Sequence, residues 1–136
     1  IEAVSLWIRV DPATSRPTGL SDDFLGLYGP ASAGRRVSSR LRLPPPIESA
    51  TSQPWPVRRV DLDPLRHMNN AAQWAIVEQA IDPEAPRRGV AEVEHIAPVA
   101  AEAQVDLLTD ITSGAQLSWL VAGGAVATAA RWVPAT

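Results

Sequence analysis

One segment restricts the folds that this chain can adopt, and it lies between residues 69 and 81. After two asparagines the segment is apolar at every position except three, which are Gln73, Glu78 and Gln79. A helix that is apolar on almost every side is a buried helix. We therefore predict a central helix that begins at residue 69 or 70, ends at residue 81 and is closed by Asp82-Pro83.

Four candidate strands follow this helix, at residues 89–97, 102–109, 115–122 and 125–133. The last two are joined by Gly123-Gly124, which is typical of a two-residue hairpin, and Ser113-Gly114 turns the preceding pair. One buried helix followed by antiparallel strands is an α+β arrangement in which the sheet has to wrap around the helix. This is a hotdog fold, and we predict it for residues 54–136.

The first part of the chain predicts less regular structure. Residues 3–10 alternate like a strand, and Ser21 caps a short helix over residues 21–28. Residues 29–53 are polar and interrupted by prolines, so we predict an extended connector, and a short strand over residues 55–60 follows it. A strand at the start of a chain needs a neighbour for its hydrogen bonds. We therefore expect this chain to be part of a longer protein.

Composition excludes several kinds of chemistry. The chain has no cysteine, and its 12 basic residues are all arginines, which removes disulfides, thiolate nucleophiles and lysine Schiff bases. With 2 histidines and no cysteine, we expect no metal site and no cofactor. A net charge of −3 argues against a nucleic-acid partner. Because no apolar run is long enough to span a membrane and no secretory signal is present, we expect a cytoplasmic location.

Acidic and polar side chains gather just ahead of the central helix. The stretch Asp61-Leu62-Asp63-x-x-x-His67-x-Asn69-Asn70, followed by Trp74 and Glu78, resembles the signature of the acyl-acyl carrier protein (acyl-ACP) thioesterases. Those proteins carry two hotdog domains in one chain, and the stretch resembles the start of the second. Residues 6–17 are similar to the last strand of the first domain and its exit, so that residues 1–28 resemble the end of a preceding hotdog.

The resemblance implies a hydrolase of fatty acyl thioesters in fatty acid biosynthesis. Its substrate would be carried by ACP or coenzyme A, and arginine pairs such as Arg58-Arg59 suit an acidic carrier protein and a nucleotide phosphate equally well. The resemblance also implies that this hotdog pairs with a second one, either a preceding domain or a second copy of the chain.

The same resemblance implies a set of site residues. A carboxylate at Asp63 can orient or deprotonate a water molecule or attack directly, and the His67 imidazole can carry a proton or orient the substrate. Backbone N–H groups near the start of the helix can stabilise an oxyanion. Asn69, Asn70 and Trp74 are the predicted substrate-binding residues, with Trp74 in the wall of an apolar tunnel.

Each of these residues also has a structural interpretation. Asp61 and Asp63 can cap the turn ahead of Pro64, and the two asparagines can cap the helix. His67 can be a hydrogen-bonded structural histidine. His95, on a strand beside Glu94, is interpreted as a residue on a sheet face.

Two positions depart from the family pattern. Between the acid and the histidine the family usually has an asparagine, where this chain has Leu65. The family's catalytic glutamate follows a Leu-Glu-Tyr-like run, and the matching position here is Pro98, which cannot accept a proton; Glu102 lies four residues further on. A hotdog domain that binds acyl chains or completes a scaffold without catalysis is therefore the alternative to a hydrolase.

Overall fold

A computed structural model describes residues 3–4, 6, 8–14, 16–35, 43–81, 84 and 88–135. The chain divides into two compact units, residues 1–41 and 42–136. None of the helices in the described ranges has both the length and the apolar character needed to cross a membrane.

The described residues of the first unit form a short strand pair and one helix. Strand β1 (Arg9–Val10) pairs antiparallel with β2 (Pro17–Thr18), and helix α1 (Asp22–Ser32) follows. The predicted cap is confirmed, since the Ser21 hydroxyl accepts a hydrogen bond from the Phe24 amide at 3.3 Å.

Two boundaries in this unit were predicted wrongly. Of the strand predicted over residues 3–10, only residues 9–10 have a strand partner among the described residues, and residues 5 and 7 lie outside the described part of the chain. The helix extends four residues beyond the predicted end at residue 28 and stops where Ala33 adopts a left-handed conformation, with φ of 48°. The first residues of the predicted connector are therefore helical.

The second unit is built on one antiparallel sheet. Its strands are β3 (Thr51–Pro54), β4 (Gly89–His95), β5 (Val105–Thr112), β6 (Ala115–Ala122) and β7 (Ala125–Pro134). They are arranged in the order β3-β5-β6-β7-β4, so that β3 and β4 are the edges of this sheet in the described part of the chain.

Both predicted hairpin turns are present. Ser113 and Gly114 have φ of 52° and 77°, and Gly123 and Gly124 have φ of 58° and 80°. Positive φ at both central residues is the conformation that matches the twist of the flanking strands.

Two predicted strands begin elsewhere. The strand predicted over residues 55–60 is wrong: the strand is β3, and residues 59–61 form a 3-10 helix. Pro56 lacks the N–H that a continuing strand would need. Strand β5 begins at residue 105 instead of 102, because the Ala103 amide donates to the Ala100 carbonyl in a turn.

The predicted central helix is confirmed, but it is broken. Helix α2 (Asn70–Gln73) and helix α3 (Ala75–Ala80) meet at Trp74. Residues three and four apart share a face, so Gln73 lies on the same side as Ile76 and Val77 and is only 1% exposed. Trp74 falls outside that face and is 42% exposed. The prediction that the helix is buried on almost every side is therefore wrong at Trp74.

The core of this unit lies between the helix and the sheet. Helix α3 packs on β6 and β7, and the buried apolar side chains at this interface are Met68, Ile76, Val77, Val99, Val105, Leu107, Leu120, Ala127 and Ala130. On the opposite face of the sheet, Trp119 is fully buried beneath Leu43 and Ala50, and its indole N–H donates to the Pro44 carbonyl at 2.8 Å. The proline-rich segment thus covers one face of the sheet while the helix covers the other.

Candidate functional site

A tight loop from Asp63 to His67 leads into the central helix. The Asp63 amide donates to the His67 carbonyl at 2.8 Å, and the Arg66 amide donates to the Asp63 carbonyl at 3.0 Å. Arg66 has φ of 62°. A turn closed in this way and followed by a left-handed residue is a standard three-residue loop, here with Pro64 setting its first dihedral angle.

The Asp63 carboxylate stabilises this loop with one of its two oxygens. Its Oδ1 atom accepts hydrogen bonds from the amides of Leu65 and His67, each at 2.9 Å. Within the described ranges, Oδ2 accepts none. The sequence left open whether Asp63 is a turn cap or a site residue. In this geometry Oδ1 caps the turn, and Oδ2 is available for a role in the site.

The loop is attached to the segment that follows β4. The Met68 amide donates to the Val99 carbonyl at 2.7 Å, and the Ala101 amide donates to the Arg66 carbonyl at 3.1 Å. Arg66 also forms an exposed ion pair with Glu102. These contacts place residues 96–98 beside the loop.

The 63–67 loop, the start of helix α2 and the end of β4 line an open cleft of about 270 Å³. Four polar side chains line it: Asp63 and His67 from the loop, Asn70 from the helix, and His95 from the end of β4. The remaining lining is apolar and consists of Met68, Ile96, Ala97 and Pro98. The structure therefore brings together one carboxylate, two imidazoles and one carboxamide at the mouth of the helix.

His95 is held from behind by two buried polar residues. Its Nδ1 atom lies 2.7 Å from Oε1 of Gln73, and the Thr128 hydroxyl donates to the same oxygen. Gln73 and Thr128 are 1% and 0% exposed. Desolvation lowers the pKa of His95 below its ordinary value of 6.5, because burial disfavours the charged imidazolium.

Comparison with known proteins identifies the family. Residues 45–123 match the model of the acyl-ACP thioesterase C-terminal domain. The chain belongs to this family. This match confirms the predicted family relationship. The matched region contains every residue that lines the cleft, including Pro98.

Two strains of Mycobacterium tuberculosis have an uncharacterized protein that resembles this acyl-ACP thioesterase domain. Each is 35% identical over 81 residues, which cover 60% of this chain and 32% of the relative. The match thus spans about a third of the length of these curated relatives.

Two solved structures show the fold. The 12:0-ACP thioesterase from Umbellularia californica superposes with a TM-score of 0.66 at 22% identity, covering 93% of this chain and 53% of that one. An acyl-ACP thioesterase from Bacteroides thetaiotaomicron has a TM-score of 0.59 at 14% identity, with 91% and 52% covered. The predicted α+β hotdog fold is confirmed.

The predicted substrate-binding residues of this thioesterase domain lie in different surroundings. Asn70 lines the cleft. The Asn69 side chain instead accepts a hydrogen bond from the Ala71 amide at 2.8 Å, as a helix cap. Trp74 is on the exposed side of the helix, and Leu65 is 75% exposed at the tip of the loop. The sequence left substrate binding and structural support open as roles for Asn69, Asn70 and Trp74, and both stay predictions.

Asp61 lies outside the cleft and has a structural partner. Its Oδ1 accepts from Arg58 Nη2 at 2.8 Å, and its Oδ2 accepts from Arg58 Nε at 3.0 Å. The hydrogen bonds from Arg58 hold the pKa of this buried carboxyl below its ordinary value of 3.8. The Arg58 amide also donates to Asp61 Oδ2 at 2.9 Å, so the Asp61 side chain closes the start of the 3-10 helix in a capping-box contact.

The described residues contain no group of three or more His, Asp or Glu side chains placed to hold a metal ion.

The sequence did not reveal that His95 lines the cleft or that Gln73 contacts it. Alternate residues of a strand share a face, and His95 lies on the same face of β4 as Ala91 and Val93, which pack against the core below the helix. The helical spacing of Gln73 from Ile76 and Val77 points to that same core. The sequence therefore indicated that each side chain faces the core. It did not indicate that the two meet, because their contact depends on the register of β4 with β7, which pairs His95 with Thr128.

Proposed function

We propose that this chain hydrolyses fatty acyl thioesters carried by acyl carrier protein or coenzyme A. The observation that carries the proposal is the single cleft that Asp63, His67 and Asn70 share at the start of the central helix. Membership of the acyl-ACP thioesterase family supports it. The apolar lining of the cleft suits the carbon atoms next to a thioester.

Asp63 is suited to hold the attacking water. Its Oδ1 is fixed by two backbone amides, and Oδ2 can accept a hydrogen bond from a water molecule aimed at the thioester carbonyl. The His67 ring makes no hydrogen bond to any described residue, so its nitrogens are available either to carry a proton or to hold the carbonyl oxygen. Both roles are ordinary for an imidazole near neutral pH.

We propose an oxyanion donor other than the backbone N–H groups near Asn69 that the sequence suggested. The Asn69 amide donates to the Asp61 carbonyl at 2.7 Å, and the Ala71 amide is capped by the Asn69 side chain. These two N–H groups are therefore occupied. We propose the carboxamide of Asn70, which lines the cleft, as the group that donates to the developing oxyanion.

A second candidate function is acyl binding without turnover. It is favoured by Pro98, which lines the cleft where the family resemblance places a catalytic glutamate, and by Leu65, which lies away from the cleft. Under this alternative the chain would bind an acyl ligand with the same residues and release no free thiol.

The test measures thiol release from a panel of saturated acyl-CoA and acyl-ACP thioesters. We expect turnover by the full chain and a loss of about 100-fold or more in Asp63→Asn and His67→Ala. Asp63→Asn keeps an oxygen for the loop amides, and Asp106→Asn, at an exposed carboxylate on β5, is the matched control. Binding without turnover would favour the second function, and turnover that survives both cleft variants would contradict the proposed site.

We also propose that this hotdog pairs with a second hotdog domain, either a preceding domain of a longer protein or a second copy. Two observations support this arrangement. The sheet has edge strands, β3 and β4, that a second domain can cover, and the chain covers only about half of each solved acyl-ACP thioesterase. Under the same proposal residues 1–28 correspond to the end of a preceding hotdog. Light scattering of the full chain tests it, since a mass of one chain would exclude the homodimer.

The role in fatty acid biosynthesis and the cytoplasmic location stay predictions from the sequence.

A further inference from the structure

The cleft contains a second imidazole that family resemblance does not assign. His95 lies three residues before Pro98, and both line the same cleft as Asp63 and His67. Pro98 stands where a carboxylate was expected and cannot accept a proton. A group able to take a proton is nevertheless present at this side of the cleft, supplied by the preceding strand.

The buried side chain of Gln73 determines which nitrogen of His95 carries hydrogen. Gln73 Nε2 lies 3.2 Å from the Met68 carbonyl oxygen, and since a carbonyl only accepts, the Gln73 NH₂ group must point there. The other atom of the carboxamide, Oε1, therefore faces His95. An amide oxygen has no hydrogen to give, so His95 Nδ1 must be the donor in the 2.7 Å contact.

The Thr128 hydroxyl fixes this arrangement further. It donates to the same Gln73 oxygen, so Oε1 is satisfied by two donors and the carboxamide has a partner at both ends. Because Gln73 and Thr128 are almost completely buried, reversing the carboxamide would leave polar groups without partners, at a cost of about 1–3 kcal/mol each. A neutral His95 is thus held with hydrogen on Nδ1 and a lone pair on Nε2.

The geometry points to His95 as a further catalytic residue: its Nε2 is the general base that activates water, and Gln73 is the residue that positions it. This assignment rests on the proposed thioester hydrolysis. It supplies the proton acceptor that Pro98 cannot provide, and it leaves His67 to hold the carbonyl oxygen. The lowered pKa of His95 agrees with the role, since a base has to be unprotonated at working pH.

The step balances with water as the only co-reactant. As the water oxygen bonds to the thioester carbonyl carbon, Nε2 of His95 takes one water proton and the carbonyl electrons move onto oxygen. The tetrahedral intermediate then collapses, the C–S bond breaks, and its electron pair leaves on sulfur. The imidazolium of His95 returns the proton to the thiolate, which gives a free acid, a free thiol and the original neutral base.

The test compares the full chain with its His95→Gln variant on the same acyl-CoA and acyl-ACP panel. Glutamine retains an N–H that can donate to Gln73 but cannot take a proton, so a structural role is preserved and a basic one is lost. We expect kcat to fall by about 100-fold or more while KM changes by less than about threefold. Because His95 lies at the end of β4 and is not among the buried core residues, the variant is expected to fold, and its thermal midpoint checks this.

A second measurement is independent of turnover. Long-range ¹H–¹⁵N correlation spectra of the unliganded chain should show the neutral His95 ring protonated at Nδ1, and Gln73→Leu should produce a mixture that includes the Nε2–H form. A wild-type ring protonated at Nε2 would overturn the assignment.

The outcomes separate the two proposals. An active wild type whose folded His95→Gln variant keeps kcat within about threefold overturns the role of His95 and leaves the proposed hydrolysis standing. A wild type that releases no thiol from any substrate overturns the hydrolysis and the role of His95 with it. A large loss of kcat, together with the Nδ1–H form, supports both.

Discussion

Asp63 and His67 are joined by two hydrogen bonds: the His67 amide donates to Oδ1 of the Asp63 side chain at 2.9 Å, and the Asp63 amide donates to the His67 carbonyl at 2.8 Å. One carboxylate oxygen therefore shapes the loop that presents the imidazole. The Asp63 side chain thus positions His67 and also carries the carboxylate that is proposed to hold water. Substitutions that keep the Oδ1 hydrogen bonds but remove the charge can separate these two effects.

Replacing Asp63 with alanine should destabilise the chain more than replacing it with asparagine. Alanine removes the acceptor of two loop amides, which we expect to cost about 1–2 kcal/mol of unfolding free energy. Asparagine keeps an oxygen at that place and should stay within about 0.5 kcal/mol of wild type. Urea denaturation measures both, with Asp106→Ala as the exposed control. Equal losses in the two Asp63 variants would show that the hydrogen bonds to Oδ1 do not support the loop.

The helix and the hairpins were predictable because each depends on a local pattern. A segment that is apolar at all but a few positions predicted the helix, and glycines predicted the turn at residues 123–124, whose φ angles are positive. The exposure of Trp74 at the break was not predictable from composition. Tryptophan is an apolar residue like its neighbours, so nothing in the segment indicated that its side chain would lie outside the core. Which face the sheet would cover depended on contacts with β6 and β7 that lie far away in the sequence.

The cleft was predictable only in the part that is local. Asp63, His67 and Asn70 lie within eight consecutive residues, so a sequence motif could identify them together. His95 and Thr128 are separated from Gln73 by 22 and 55 positions, and their meeting depends on the register between β4 and β7. A local sequence motif contains no information about that register.

Asp61 should make stability depend on pH in the acid range. Its folded-state pKa is lowered by Arg58, so its stabilising effect is complete above the ordinary value of 3.8 and is lost as pH falls through the lower folded-state pKa. Asp61→Asn should lower the unfolding free energy by about 1–3 kcal/mol near neutral pH. Urea denaturation at several pH values should show this difference shrinking as the medium is acidified. A difference that is constant with pH would contradict the ion pair.

His95 should titrate below its ordinary value of 6.5. In a His67→Gln variant it is the only histidine, because the chain has 2, and NMR then follows its ring directly. The unfolded chain binds a proton more readily than the folded one between the two pKa values, so unfolding free energy should fall as pH drops through that range. Above 6.5 both states are neutral and the contribution is independent of pH. His95→Gln should remove this dependence, and a midpoint at or above the ordinary value would contradict desolvation of the ring.

A carboxylate at position 98 should restore turnover that is lost with His95. Pro98 is exposed and lines the cleft, so replacing it adds an exposed N–H and does not disturb a buried contact. In the His95→Gln background, Pro98→Glu should raise kcat by about tenfold or more, since it returns a proton acceptor to the same side of the cleft. Pro98→Gln is the matched control, because it has the same size without a base. If the glutamate and glutamine variants release thiol at the same rate, the loss in His95→Gln does not come from a missing proton acceptor at this side of the cleft.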